Sequence, residues 1–127
     1  MSNRTIEDGN SVNVQQLLNR KLFIDALLSG KHKQAFGIVG DVRRPLAPVC
    51  AYGLLMRLFY KGTVYSNNDV PTDFYPERII GVSPGIISDM IGKNDAGYSF
   101  KQLAYWLADE ALPAMKRIEH LTTSSSR

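Results

Sequence analysis

The sequence contains few residues that could carry catalysis or hold a metal ion, with one cysteine and two histidines in 127 residues. The histidines, His32 and His120, lack the His-x-x-x-His spacing of a helical metal site and have no cysteine partner. Cys50 lies between apolar neighbours, which favours a small buried side chain; a nucleophilic thiol is the alternative. We therefore expect no catalytic residue, no metal ion and no cofactor.

Phosphate-binding motifs and long apolar runs are also absent. Neither G-x-x-x-x-G-K-[ST] nor G-x-G-x-x-G occurs, so any nucleotide site would be of another kind. No apolar run approaches the ~18–20 residues of a membrane-spanning helix, and the opening MSNRTIEDGNSVN lacks the apolar core of a secretion signal. These absences predict a cytoplasmic protein with no membrane partner.

Positive charge is concentrated in the first half of the chain. From Arg20 to Lys61 there are eight Lys and Arg residues against two acids, whereas from Gly62 onward there are six against eight. A one-sided positive field attracts anions, which indicates a nucleic acid, a nucleotide or a lipid surface as partner. The alternative is a solvated face that only keeps the protein soluble.

Capping residues and apolar periodicity predict a mostly helical chain. The first helix opens with Asn13 as N-cap and Gln16 as its capping-box partner, and it stops at Gly30. The further predicted elements are a helix over 47–60, a turn at 76–80 that begins with Pro76, a helix from Ser83-Pro84 to Gly92, a helix with the capping box of Ser99 and Gln102, and a short helix after Pro113.

Short strands are predicted between these helices. The glycine-bounded segment QAFGIVG is rich in β-branched residues, which indicates a strand through Phe36, Ile38 and Val39, and a second extended piece is expected at 64–65. The predicted fold is α+β, a small domain that is mostly helical with a short antiparallel sheet. We expect a single domain over 13–121, between disordered segments at 1–12 and 122–127.

Two polar islands interrupt the apolar segments. The first, GKHKQAFGIVGDVRRP at 30–45, combines cations with glycines, and the second is GKNDAGYSF at 92–100. In the second, Asn94 offers an amide, Asp95 can accept from ribose hydroxyls or an exocyclic amine, and an aromatic ring can stack on a base. The alternative is turn chemistry, with the polar side chains capping backbone amides and Gly97 at positive φ.

The order of these motifs resembles that of a widespread group of small phage proteins. The shared features are a Gly-x-x-Lys-Gln segment (GKHKQ here), a cysteine-containing apolar helix (CAYGLL) and an Asn-Asp-x-Gly-x-Ser-Phe motif before an amphipathic helix (NDAGYSFKQLAYWLAD). The similarity spans about residues 22–109 and points to the Thoeris anti-defence one family. Relatives often have Gly after the Gln and a Cys-Cys-Leu-Gly run, where this chain has Ala35 and Cys50-Ala51-Tyr52-Gly53.

This resemblance implies a nucleotide sponge: a homo-oligomeric phage protein in the host cytoplasm that sequesters a cyclic ADP-ribose isomer without cleaving it. The family can also hold cyclic oligonucleotides at a second site. By motif, the resemblance assigns ligand contacts to Lys33, Gln34, Asn94 and Asp95. A pyrophosphate needs cations, and a purine needs amides and aromatic rings. The candidate binding residues are Lys31, Lys33, Arg43, Arg44 and Arg57 for phosphate, and Gln34, Phe36, Asn94, Asp95 and Phe100 for base and ribose.

Two other functions stay open: a nucleic-acid-binding regulator that uses the basic half, and an inhibitor of a host protein. The segment ERIIGVSPGIISDMI has helix-turn-helix spacing, but its second helix lacks the Arg, Lys, Asn and Gln that contact bases, so nucleic acid is not the expected partner. For Arg57, the alternative to a phosphate or interface contact is an ion pair with Asp25 or Glu77. The apolar excess of 47–60 and 99–121 is consistent with a helix-mediated homo-oligomer.

Overall fold

Five helices account for most of the structure, a computed structural model that describes residues 12–64, 66 and 68–110. The helices are α1 (Val14–Leu28), α2 (Ala51–Phe59), α3 (Pro76–Ile80), α4 (Pro84–Asp95) and α5, whose described part covers 100–110. Several predictions concern residues that the structure does not describe. These are the segments predicted to be disordered, of which only Val12 is described, the predicted helix after Pro113, and Tyr65 of the second extended piece.

The predicted antiparallel sheet is wrong, and the described chain is a small helical domain. Where the strand was expected, the structure has two isolated bridges, Gln34 with Val49 and Gly40 with Val49. Gly37 and Gly40 both take positive φ, at 79° and 95°, so the chain reverses within a few residues and cannot run beside a partner strand. The segment is therefore a loop that wraps around Val49, and we call residues 33–40 the wrapping loop.

The N-terminal signals of α1, α3 and α5 are confirmed. In α1, the Asn13 side chain accepts from the Gln16 amide at 2.8 Å while the Gln16 side chain accepts from the Asn13 amide at 3.0 Å. The same reciprocal box opens α5 between Ser99 and Gln102, at 3.1 and 2.9 Å. Pro76 is the first residue of α3, as expected for a side chain without an amide hydrogen.

Two helix boundaries differ from the prediction. Helix α2 begins at Ala51 rather than near 47, because Val49 is already bonded to the wrapping loop on both of its backbone groups. Helix α4 continues through Gly92 to Asp95, and the reversal expected at Gly92 occurs instead at Gly97, where φ is 108°. A glycine in a helix costs only about 1 kcal/mol, which the buried contacts of the last turn outweigh.

Helix α2 forms the centre of the core. Residues 51–56 are all buried, and α2 packs against α1, α3 and α4. The other core residues with at most 1% exposure are Phe23, Val42, Val49, Ile80, Met90, Leu103, Ala104 and Leu107. Side chains that are buried inside the domain cannot form a contact between two copies of the chain. The apolar residues 51–56 therefore do not support the homo-oligomer that the sequence led us to expect.

Polar side chains of α1 close the C-terminal end of α3. The acceptors are the consecutive backbone carbonyls of 78–81, which a helix of five residues leaves without partners. Gln16 donates to the first of them at 2.8 Å and Asn19 to the second at 3.0 Å. Arg20 donates to the last two from its Nε and Nη2 atoms, with Nε 2.9 Å from the oxygen of Ile80. The arginine is 2% exposed, so this junction lies inside the domain.

Candidate functional site

Gly40 of the first polar island and Gly53 of α2 allow close packing of the wrapping loop. A Cβ at Gly40 would overlap the carbonyl oxygen of Pro48, and a Cβ at Gly53 would overlap the carbonyl oxygen of Val39. The loop therefore lies directly against the beginning of α2, and Cys50 N donates to Val39 O at 2.9 Å. This contact explains Gly40 and Gly53 without a phosphate.

The Asn94 side chain is the centre of a buried polar network and is fully buried at 0% exposure. Its Oδ1 accepts from Ala51 N at 3.1 Å and from Gln34 Nε2 at 2.8 Å, while its Nδ2 donates to Ala35 O at 3.0 Å and to Asp95 Oδ1 at 3.2 Å. One amide thus joins the wrapping loop, the first turn of α2 and the last turn of α4. Its hydrogen-bonding capacity is used within the protein.

Gln34 joins the same network to α5. Its Nε2 also donates to Tyr98 O at 2.7 Å, and its Oε1 accepts from Phe100 N at 2.9 Å, which satisfies an amide of the first turn of α5. Phe100 is 7% exposed and belongs to the core, so it offers no free ring face to a base. Gln34 and Asn94 converge as the sequence suggested, but they contact each other.

Asp95 lies at the edge of this network and faces an open cleft. Its Oδ1 accepts from Gly37 N at 2.8 Å, which holds the wrapping loop to the end of α4. Among the described residues, none donates a hydrogen bond to its Oδ2. The cleft has a volume of about 220 Å³. It is lined by Gly37, Ile38, Val39, Cys50, Tyr52, Asn68, Val70, Ile91 and Asp95.

Cys50 lines this cleft as the N-cap residue of α2. Its Sγ accepts from Gly53 N at 3.4 Å, and the side chain is 6% exposed. Burial raises the pKa of the Cys50 thiol, so the neutral form prevails near neutral pH. The interpretation of Cys50 as a buried small residue is confirmed, with a capping role that the sequence did not suggest.

Arg57 holds the segment 41–47 in place. Its Nε and Nη2 atoms donate to four backbone carbonyls of that segment at 2.7–3.0 Å, and its Nη1 lies 3.1 Å from His32 Nδ1. The alternative for Arg57, an ion pair with Asp25 or Glu77, is wrong, since the ion pairs of the described residues are Lys21 with Asp25 and Arg44 with Asp41. Most of the guanidinium is thus engaged in holding the backbone.

The other candidate cations differ in whether their charged groups already have partners within the protein. Arg43 donates to Tyr60 O at 2.8 Å and Gly62 O at 2.7 Å, and Arg44 lies 3.8 Å from the Asp41 carboxylate. The exposed side chains of Lys31 and Lys33 make no hydrogen bond or ion pair with any described residue. Phe36, also a predicted contact, is 53% exposed on the wrapping loop. Of the phosphate candidates, these two lysines are the most available to an anion.

Acidification is expected to destabilise the protein through His32. The pKa of His32 lies below its ordinary value of 6.5 because partial burial disfavours the imidazolium and because Arg57 and Lys31 repel it. The folded state keeps the ring neutral, with Nδ1 as acceptor, so this contribution is present above about pH 6.5 and is lost as pH falls through the folded pKa.

Urea denaturation at several pH values between about 7.5 and 5 measures this effect. His32→Asn retains an acceptor near the position of Nδ1 but does not titrate, so its stability should fall less on acidification than that of the wild type. Parallel curves for the two proteins would contradict the assignment.

The sequence did not indicate several residues that shape the site. Tyr52, Val70 and Ile91 line the cleft, yet each is an ordinary apolar residue in the sequence. The Lys93 ammonium lies 5.0 Å from the ring centre of Tyr98, in the turn before α5, and 5.4 Å from that of Trp106, a cation–π contact that forms only when α4 and α5 pack together.

Comparison of the chain with protein-family models, with curated proteins and with solved structures finds no match. The resemblance to phage proteins therefore stays a prediction. None of the helices within the described residues is long and apolar enough to cross a membrane. Within 12–64, 66 and 68–110, no three or more His, Cys, Asp or Glu side chains are grouped so that they could hold a metal ion.

Proposed function

We propose that the protein binds a cyclic nucleotide signal, a cyclic ADP-ribose isomer or a cyclic oligonucleotide, and sequesters it without degrading it. The observation that carries this proposal is the cleft between the wrapping loop and α4, which is lined by the exposed Asp95, whose Oδ2 accepts no hydrogen bond from the described protein. A small apolar cleft with one oriented polar group is the usual form of a binding site for a compact organic ligand.

The walls of the cleft suit a flat ring with donor groups at its edge. Ile38, Val70 and Tyr52 provide apolar and aromatic surface, and the Asp95 carboxylate accepts hydrogen bonds from an exocyclic amine or from ribose hydroxyls. Its volume of about 220 Å³ is below the ~300–1,000 Å³ that encloses a drug-sized ligand. The cleft therefore suits one end of a nucleotide, and the phosphates would stay outside it.

The phosphates would be bound by the cations of the first polar island. Lys31 and Lys33 carry exposed charges, and Lys33 is anchored beside the cleft because its carbonyl accepts from Val49 N at 2.9 Å. Cys50, which follows Val49 in the chain, lines the cleft itself. Exposed lysines attract a multiply charged ligand over several ångströms, with a strength that falls as salt is added.

The chemistry of the cleft supports binding without turnover. Of its lining residues, those with ionisable side chains are Cys50, Tyr52 and Asp95. Burial raises the pKa values of the thiol and of the phenol, and both therefore stay neutral near pH 7. Asp95 has no second carboxylate or histidine among the lining residues with which to share acid and base roles.

Isothermal titration calorimetry with cyclic ADP-ribose isomers and cyclic dinucleotides tests the proposal. We expect saturable binding by the wild type and a loss of about 5- to 100-fold in affinity for Asp95→Asn, because the new NH₂ group cannot accept the ligand's hydrogen bond. Asp89→Asn, which removes an exposed carboxylate from the same helix, should bind as the wild type does. Equal affinities of the two variants would contradict the assignment of Asp95.

Sequestration also requires that the ligand survive. After heat denaturation of the complex, chromatography should recover the ligand unchanged, and altered ligand would refute the passive role. Binding of duplex DNA with a steep salt dependence, without binding of any cyclic nucleotide, would favour the nucleic-acid regulator instead. Capture of one host protein by the immobilised chain, with no nucleotide bound, would favour the inhibitor.

A further inference from the structure

A second cavity adjoins the cleft, and we call it the side cavity. It has a volume of about 450 Å³ and is lined by Tyr60, Thr63 and the segment 69–73. Val70, which is 54% exposed, lines both the side cavity and the cleft, so the two meet at one side chain. The side cavity has the size that a compact organic ligand needs, which the cleft alone does not reach.

One buried aromatic ring fixes the spacing of the two cavities. Tyr52 of the cleft and Tyr60 of the side cavity both pack edge-on against Phe74, with their ring centres 5.7 and 5.5 Å from its own. Phe74 is 6% exposed and belongs to the core. Because core packing sets this spacing, a ligand that contacts both cavities meets two walls at a fixed separation.

The lining of the side cavity suits hydroxyl groups and disfavours phosphate. Its charged side chains are two carboxylates, Asp69 and Asp73, and two further polar side chains are the hydroxyls of Thr63 and Thr72. A ligand hydroxyl both donates and accepts, so it can pair with a carboxylate through its hydrogen and with a threonine through its oxygen. Neither Lys nor Arg is among the described lining residues, and the carboxylates repel a phosphate.

Asp73 is held at the wall of the side cavity with one oxygen available. Its Oδ1 accepts from the Tyr60 hydroxyl at 3.2 Å, and no described residue donates to its Oδ2. The Arg43 guanidinium lies 5.7 Å from the ring centre of Tyr60, but it donates to the backbone carbonyls of Tyr60 and Gly62. Asp73 therefore keeps an acceptor for a hydroxyl group of a ligand.

We propose that the side cavity binds a ribose of the cyclic nucleotide through its hydroxyl groups, while the cleft holds the base and Asp95 accepts from the exocyclic amine. This assignment rests on the proposed function and orients the ligand in the site. The base and the ribose lie on the two sides of Val70, and the phosphates lie outside both cavities, towards Lys31 and Lys33. The protein would thus select ribonucleotides over their deoxy counterparts.

Isothermal titration calorimetry tests this selection with cyclic di-AMP and a cyclic ADP-ribose isomer that has a free 2′-hydroxyl, each compared with its 2′-deoxy counterpart. The wild type should bind the hydroxylated ligand about 5- to 50-fold more tightly, because the deoxy ligand gives Asp73 no donor. Asp73→Asn should reduce this preference to less than about 3-fold, since its NH₂ group cannot accept. The preference compares two ligands on one protein, so the effect of the lost charge cancels.

Two further variants make the result specific. Asp89→Asn, which removes an exposed carboxylate from α4, should keep the preference of the wild type. Thr72→Val, which replaces an exposed hydroxyl of the side cavity by a methyl group, should lower the preference as Asp73→Asn does. Binding without any preference by the wild type, or a preference that Asp73→Asn leaves unchanged, would overturn the ribose site alone. No binding of any of these ligands would overturn both the ribose site and the proposed function.

Discussion

Asn94→Asp is expected to lose about 3–5 kcal/mol of stability at neutral pH, a large part of the ~5–15 kcal/mol typical of a small domain. The change replaces a buried amide by a carboxylate of the same shape. The new side chain can no longer donate to Ala35 O, which loses its 3.0 Å hydrogen bond. It also places a negative charge beside Asp95 at a position with 0% exposure.

The loss should depend on pH with a definite sign. Burial and the neighbouring Asp95 raise the pKa of the new carboxyl in the folded state above the ~3.9 of an unfolded chain. Stability relative to the wild type is therefore best below about pH 4, where the carboxyl is protonated in both states. It falls as pH rises through the folded pKa and then stays low.

Chemical denaturation of the variant and the wild type from about pH 4 to pH 8 measures the difference between the two. Asn68→Asp is the matched control, since Asn68 is exposed and its 3.4 Å contact with Val39 N is long. We expect it to cost less than ~1 kcal/mol at every pH. An Asn94→Asp protein as stable as this control at neutral pH would show that the network does not hold the domain together.

Arg20→Met is expected to lose about 2–4 kcal/mol of stability at all pH values near neutrality. The arginine donates two hydrogen bonds to the carbonyls of Ile80 and Gly81, and methionine leaves both acceptors without a donor. Burial of the guanidinium, which lowers the pKa of Arg20, has its own desolvation cost, and the variant recovers part of it. The net effect is a loss because two carbonyls are left unsatisfied at once.

Thermal and urea denaturation, with hydrogen exchange of the α3 amides, test this expectation. Lys21→Met is the matched control, because that side chain is 62% exposed and its ion pair with Asp25 is worth less than ~1 kcal/mol. We expect faster exchange in α3 for Arg20→Met and not for the control. A variant that is more stable than the wild type would mean that desolvation outweighs the two bonds.

Local signals in the sequence predicted the helices, but they did not predict where α2 begins or where α4 ends. The capping boxes at Asn13 and Ser99 and the proline at 76 act on amides within one turn, so neighbouring residues suffice to predict them. The strand expected at 36–39 failed because β-branched residues favour extended backbone only when a partner strand lies beside them. Here the neighbouring backbone is that of Val49, a single residue that forms isolated bridges with Gln34 and Gly40 of the wrapping loop.

The sequence by itself determined the helical content, the positive charge of the first half and the two polar islands. Only the tertiary structure decided how those polar residues are used. Gln34 and Asn94 are 60 positions apart, and the energy of their contact depends on burial that no local pattern encodes. Arg57 likewise finds backbone carbonyls rather than an acid, because the loop that folds over it brings carbonyl oxygens within reach. The cleft beside Asp95 exists for the same reason: its walls come from four separate segments that meet only in the folded chain.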